Sequence, residues 1–262
     1  MTRGERPPWL AAVAGGVAAL FFLLPLASLL WRAPWSRIGS DLASPEVRTA
    51  LRLSLVASVA ATFLSMAVGI PLAWVLARVS FPGRRFLRAL TTLPMVLPPV
   101  VGGAALLLAF GRQGLVGQWL YRWFDLRLPF TTPGAVLAEA FVAMPFLVLT
   151  AEAAFRSLDR RYEDAARTLG ASRGTVFLRV TIPLSAPALS AGAVLCWARA
   201  LGEFGATITF AGNFPGKTQT MPLAVYLALE SRPEAAITLS LVLLAVSIIV
   251  LVSLRDRWLG LP

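Results

Sequence analysis

The sequence predicts an all-α integral membrane protein with six transmembrane helices. Of its 262 residues, 57% are hydrophobic and only 14% are charged, and the mean hydropathy is +0.73, which is too apolar for a soluble domain of this size. A hydrocarbon core about 30 Å thick requires roughly 20 apolar helical residues, and six stretches reach that length. These stretches are unbroken, unlike the alternating strands of about 10 residues that form membrane barrels.

The six predicted spans form one membrane domain over residues 1–262, because no polar linker separates two folded units. The first span has the charged start of a signal peptide, but its apolar run of about 22 residues exceeds the usual 7 to 15, so we expect it to be retained. In chain order the predicted spans cover about 9–31, 51–78, 89–110, 134–155, 184–210 and 236–254.

The third span begins with an irregular sequence, TTLPMVLPPVVGG. Pro94, Pro98 and Pro99 remove amide donors, and Gly102 and Gly103 weaken the helix that follows. Irregular backbone at membrane depth persists only where it is buried in protein or lines water, which favours the wall of a transport pathway. Proline is also favoured in the first turn of a helix, so the residues leave both interpretations open.

The distribution of basic residues predicts the orientation in the membrane. Arginines are more numerous beside the span ends that share a side with both termini, including 78–88 and the segment 156–182. By the positive-inside rule we expect both termini to be cytoplasmic. The net charge of +11 is scattered over several loops, so it indicates contact with lipid and no nucleic-acid partner.

The sequence offers no catalytic residue, metal site or cofactor site. A single cysteine, Cys196, lies within a predicted span and histidine is absent, which argues against redox and zinc chemistry. The stretch AGNFPGKTQT ends like a phosphate-binding P-loop. However, Ala211 stands where that motif requires glycine, and Pro215 lacks an amide for phosphate. ATP must therefore be used by another chain.

A polar, arginine-rich segment, 156–182, separates the fourth and fifth spans. Glu163 and Asp164 place negative charge near a helix start, as the helix dipole favours. Ala165 and Ala166 are small and strongly helix-forming, and Gly170 permits a sharp turn. The segment is predicted to form a short helix and a turn, with a surface suited to contact a soluble protein.

The pattern D-A-A-x3-G-x9-V-x-I-P in this segment resembles the EAA loop of ATP-binding cassette importer permeases, E-A-A-x3-G-x9-I-x-L-P. The resemblance implies docking to a separate cytoplasmic subunit that uses ATP and Mg²⁺. Asp164 replaces the leading glutamate, and valine and isoleucine replace isoleucine and leucine. The matching positions are Asp164, Ala165, Ala166, Gly170, Val180, Ile182 and Pro183.

Two further stretches, 93–117 and 199–226, are similar to molybdate importer permeases. The second contains LGEFGA, which sulfate and thiosulfate permeases share, and GNFPGKTQTMPL, which favours molybdate or tungstate as cargo over sulfate. The resemblance implies a type I importer in a prokaryotic cell membrane. Two copies of this chain would form the pore, joined by two ATPase subunits and an external oxyanion-binding protein.

Arg199 and Glu203 lie four residues apart in a predicted span and therefore share a helix face. They form either a structural ion pair or a gate that changes partners beside an anion path near Gly202 and Gly205. A different class of protein, an autonomous ion-coupled transporter, also remains open, since it requires ionisable residues at membrane depth. Arg199 and Glu203 are among the few candidates for that role.

Overall fold

The computed structural model describes the backbone of residues 8–258 and the side chains of residues 8–250. Every regular element in that part of the chain is helical. The helices are α1 Trp9–Trp31, α2 Ile38–Ala43, α3 Pro45–Arg78, α4 Arg84–Val96, α5 Pro99–Phe110, α6 Gly117–Phe124, α7 Thr132–Ser157, α8 Arg160–Thr168, α9 Arg173–Val176, a π-helical turn Phe177–Thr181, α10 Ile182–Leu201, α11 Gly205–Phe210, α12 Met221–Ser231 and α13 Pro233–Trp258.

Within the described residues, five helices are long and apolar enough to cross a membrane. They are α1, α3, α7, the continuous helix from α9 to α10, and the described part of α13. This arrangement confirms the predicted all-α membrane fold. The positions of the termini relative to the membrane and the retention of the first span stay predictions, and residues 1–7 lie outside the described residues.

The expected third span, 89–110, differs from a single continuous helix. It consists of α4 and α5, which are separated at Leu97, in extended conformation, and at Pro98, whose backbone is also non-helical. A residue that precedes proline is disfavoured in the helical region, and neither Pro98 nor Pro99 has an N–H to continue the helix. Pro99 is the first residue of α5, so it starts a helix, whereas Pro94 lies inside α4.

The expected fifth span, 184–210, also has different limits. Its helix begins at Arg173, well before the expected start at 184, and it ends at Leu201. A π-helical turn precedes Pro183, whose missing N–H removes the normal α-helical bond at that point. Beyond the break at 202–204, α11 forms a separate short helix.

The core of the bundle lies between α3, α7 and α10. Alanine fills much of it, and the larger buried side chains include Leu76, Leu147 and Phe155. Small residues at helix contacts let the backbones approach closely, which is how helices pack in a membrane. By contrast, α1 has no buried residue and is apolar on all sides, as is typical of a helix surrounded by lipid.

Helix α7 defines the two ends of the bundle. Its 26 residues give a length of about 39 Å. The segment 158–172 follows its last residue, whereas the loop 111–131 precedes its first. At that first residue, the Thr132 hydroxyl donates to the carbonyl of Lys217 at 2.8 Å. The arginine-rich segment and the loops 111–131 and 211–220 therefore lie at opposite ends.

Candidate functional site

Helix α8 and the turn after it form the local structure that the sequence predicts. Asp159 caps the helix, and its carboxylate accepts from the backbone N–H of Arg161 at 3.0 Å. Gly170 adopts a φ of +87°, and its N–H donates to the carbonyl of Arg167 at 2.9 Å. No neighbouring atom lies within 4 Å of a Cβ added there. Backbone conformation, and not limited space, therefore favours glycine at this turn.

Glu163 fastens α8 to the transmembrane bundle. Its side chain is buried, and its Oε1 accepts a hydrogen bond from the hydroxyl of Thr181 at 2.8 Å. The same oxygen lies 3.4 Å from Nη2 of Arg78, which is also buried. Arg78 in turn donates to the carbonyl of Leu158 at 3.1 Å. Three elements, α3, α8 and the π-helical turn, therefore meet at one carboxylate.

The residues of the EAA-like pattern do not all lie on one surface. Asp164 and Ala165 are exposed and Ala166 is half-buried. Tyr162 and Leu169 are 58% and 90% exposed. The spacing of Tyr162, Ala165, Ala166 and Leu169 places them on one helix face, which we call the docking face.

The last two positions of the pattern belong to a different helix. Ile182 is half-buried and packs against the main core, whereas Pro183 is exposed. Both lie beyond the π-helical turn in α10, away from α8 in sequence. Gly170 forms the turn and is not part of the docking face.

A second buried carboxylate near the same end was not predicted from the sequence. Glu152 lies 2.7 Å from Nη2 of Arg88 and 2.7 Å from Nη2 of Arg156, while 6% of its side chain is exposed. Because Arg88 belongs to α4 and Glu152 to α7, the cluster ties these helices together. A carboxylate inside an apolar stretch, four residues before an arginine, is the sequence signal that indicates it.

Several residues of the predicted pathway come together where α5 packs against α11. A Cβ added at Gly103 would lie 2.6 Å from the Thr209 Cβ and 2.8 Å from the carbonyl oxygen of Ala206. A Cβ at Gly205 would lie 2.9 Å from a carbon of Pro99. Glycine is therefore required for the close approach of these two short helices.

The other predicted pathway residues lie elsewhere. Gly102 faces Phe141, whose ring would be 3.1 Å from an added Cβ. Pro94 is half-buried in α4 and Pro98 is exposed at the helix break. Gly202 is exposed, and the only neighbour of an added Cβ is a carbonyl oxygen at 3.7 Å. The participation of these residues in transport stays a prediction.

The structure contains the ion pair between Arg199 and Glu203. Arg199 Nη2 lies 2.6 Å from Oε2 of Glu203, and 1% of the glutamate side chain is exposed. Glu203 Oε1 accepts from the N–H of Ala206 at 2.8 Å, so this carboxylate also holds the start of α11. Glu139, in α7, is another buried carboxylate that was not predicted from the sequence.

The threonine of the GKT sequence has a structural contact. Thr218 is buried, and its hydroxyl accepts from the backbone N–H of Phe214 at 2.9 Å. Gly216 lies at the tip of the same turn with a φ of +76°. The stretch that resembles a P-loop is therefore a structural turn between α11 and α12.

Comparison with known families identifies the kind of protein. A family model described as "Binding-protein-dependent transport system inner membrane component" matches residues 69–261. The chain belongs to this family. The membership confirms that the chain is a permease of an ATP-binding cassette importer, and it agrees with the several spans of the fold.

The relatives include permeases that are named for two different cargoes. The molybdenum transport system permease protein ModB of Mycobacterium tuberculosis is 46% identical over 255 residues, which cover 97% of this chain and 95% of that protein. The sulfate transport system permease protein CysT of Escherichia coli is 38% identical over 240 residues, covering 90% and 86%. The crystal structure of a bacterial alginate importer matches with a TM-score of 0.75 over 95% of this chain and 94% of that chain, at 17% identity, which supports the fold alone.

Proposed function

We propose that this chain is the transmembrane subunit of an importer for molybdate or tungstate. The observation that carries the proposal is the 46% identity to a molybdenum permease along almost the whole chain. Sulfate is the second candidate, supported by 38% identity to a sulfate permease. The cargo reaches the chain on a separate external binding protein.

The importer consists of two copies of this chain, two ATPase subunits and the binding protein. Each chain supplies about half of a pore. Two copies related by a twofold axis form a symmetric pathway. Both termini and the segment 156–182 face the cytoplasm, where ATP is available. ATP and Mg²⁺ bind to the partner subunits, and this chain binds no cofactor of its own.

The docking face of α8 contacts the ATPase. Leu169 is 90% exposed, and covering one such side chain contributes about 1.5–3 kcal/mol to association. The small side chains of Ala165 and Ala166 allow the partner to approach closely. Glu163 then carries any displacement of α8 to Arg78 and Thr181, because it contacts both.

The docking proposal is tested by Leu169→Asp in the assembled complex. The substitution is expected to lower ATPase binding at least tenfold, since it places a charge in an apolar contact. Thr168→Asp is the matched control, because it adds the same carboxylate one residue earlier, at an exposed position outside the docking face. Equal losses in both variants would contradict a specific role for this face.

Towards the end of the bundle opposite the docking face, the contact between α5 and α11 forms part of the gate. ATP binding draws the ATPase subunits together and favours an outward-open packing, and hydrolysis restores the inward-open one. Arg199 and Glu203 exchange partners during this change. An Arg199→Met, Glu203→Leu double variant is expected to insert normally but to transport slowly, and wild-type transport rates would rule out the gate.

The experiment that tests the function measures ATP hydrolysis in liposomes containing this chain and the ATPase encoded beside it. The external binding protein is added empty, loaded with molybdate or loaded with sulfate. Stimulation mainly by the molybdate-loaded protein is expected. Stimulation by sulfate alone would move the chain to the second candidate, and uptake driven by an ion gradient without ATPase would favour an autonomous transporter.

A further inference from the structure

The loop at the end of the bundle opposite the docking face carries exposed aromatic side chains. Helix α6 presents Trp119 and Trp123, which are 48% and 69% exposed and lie in edge-to-face contact at 5.6 Å. Phe124 is 72% exposed on the same helix. In a membrane protein, short amphipathic helices with exposed tryptophan lie in the headgroup region of the bilayer.

Two arginines lie against a single tyrosine in this loop. The guanidinium carbons of Arg112 and Arg127 are 4.5 Å and 4.9 Å from the ring centroid of Tyr121. Both guanidinium groups also approach the phenol oxygen, at 3.1 Å for Arg112 and 3.4 Å for Arg127. Both guanidinium groups are therefore held against the same ring and the same phenol oxygen.

The positive charge of the arginines around Tyr121 is only partly neutralised by carboxylates. Arg127 lies 3.3 Å from a carboxylate oxygen of Asp125, in an exposed ion pair. Among residues 8–250, no carboxylate forms an ion pair with Arg112 or with its neighbour Arg122. Two like charges held beside one ring repel each other, and an anion bound by both would offset that repulsion.

We propose that Arg112 and Arg127 bind the phosphate of an anionic phospholipid in the leaflet at this end. Guanidinium groups match phosphate oxygens through paired, charge-assisted hydrogen bonds. Both arginines and Tyr121 line a cleft of about 280 Å³, and a second cleft, of about 340 Å³, lies beside Arg112 and gives room for a headgroup. Its lining residues are Arg112, Gln113, Gln118, Trp119, Tyr121 and Arg122.

The exposed aromatic side chains favour a lipid over a free oxyanion in water. A small anion gains nothing from Trp123 and Phe124, which are 69% and 72% exposed. A phospholipid contacts both parts of the surface, since its phosphate meets the guanidinium groups while its glycerol and acyl chains meet the rings. The site lies at the end of the bundle opposite the docking face, and it anchors α6 against the membrane surface.

The proposal is tested by native mass spectrometry of the full-length chain titrated with phosphatidylglycerol or with phosphatidylcholine. Phosphatidylglycerol is expected to bind more tightly. In the Arg112→Gln, Arg127→Gln double variant its apparent Kd should rise about tenfold or more, because two charge-assisted contacts are lost. Tyr121→Phe keeps the ring but removes the oxygen that orients both guanidinium groups, so a smaller rise is expected.

The matched control is the Arg48→Gln, Arg52→Gln double variant. These two exposed arginines begin α3 and lie at the same end of the bundle in the predicted topology, so the variant removes the same charge away from Tyr121. An equal loss of lipid binding in this control would overturn the proposal in favour of a general surface charge. Displacement of phosphatidylglycerol by millimolar molybdate, sulfate or inorganic phosphate would overturn it in favour of a free-anion site. The assay contains neither ATP nor binding protein, so a wrong cargo assignment cannot alter its result.

Discussion

Replacing Gly170 with alanine isolates the backbone requirement of the turn after α8. The residue has a φ of +87° with no neighbouring atom within 4 Å of the added Cβ, so no steric clash contributes. A residue with a side chain pays about 1–2 kcal/mol in the left-handed region. This cost applies to the turn that joins the docking face to the transmembrane helix.

The expected consequence is more frequent opening of the turn. A loss of about 1–2 kcal/mol raises the open population roughly 5- to 30-fold. Hydrogen exchange measured by mass spectrometry on the full-length chain reports it directly. The N–H groups of Gly170 and Ala171 are bonded to the carbonyls of Arg167 and Ala166 at 2.9 and 3.1 Å, and they should exchange faster by that factor.

Gly174→Ala is the matched control. Gly174 also has open space around it, but it lies in α9 with an ordinary helical backbone. Alanine there should stabilise the helix by about 0.5–1 kcal/mol, so exchange should be unchanged or slower. Unchanged exchange at the turn in Gly170→Ala, or the same change in both variants, would refute the reasoning.

Two further substitutions test the buried contacts through thermal unfolding. Glu163→Ala is expected to lower the free energy of unfolding by about 3–5 kcal/mol, because it leaves a buried arginine without its carboxylate. The coupling of ATP hydrolysis to cargo transport should weaken as well. The control Asp164→Ala, at an exposed position, should change the free energy of unfolding by about 0.5 kcal/mol or less. Equal losses in the Glu163 and Asp164 variants would contradict the buried ion pair of Glu163. Gly103→Ala is expected to cost about 1–3 kcal/mol through overpacking of α5 against α11. The control Gly202→Ala should not show this loss, since only one atom lies within 4 Å of its added Cβ. If Gly103→Ala were as stable as the wild type, the contact between α5 and α11 would have to adjust to a side chain without cost.

Much of the fold could be predicted because its signals are local. Apolar stretches of membrane length predict the spans, and two of the three prolines, Pro98 and Pro99, account for the irregular backbone before α5. The helix-forming alanines and Gly170 predict α8 and its turn. Arg199 and Glu203 are predicted to pair because they lie four residues apart on one helix. Each of these inferences depends on residues within one continuous stretch of the chain.

The contacts of the candidate site depend on packing between distant segments. Sequence alone assigns Glu163 and Asp164 the same dipole interaction, yet only Glu163 is buried, because α3 places Arg78 beside it. Likewise, Arg88 reaches Glu152 across 64 residues of sequence.

The end of the fifth span also depends on a contact that a buried carboxylate makes. The helix stops at Leu201 although the apolar sequence continues, and the Glu203 carboxylate accepts the N–H of Ala206 at the start of α11. Apolar character predicts that a segment enters the membrane, but it does not specify where a buried carboxylate will bind the backbone. The sequence thus determined the membrane class, the approximate positions of the apolar segments and the local turn. The tertiary structure decided which carboxylates are buried and which helices they join, since those choices depend on partners brought close only by packing.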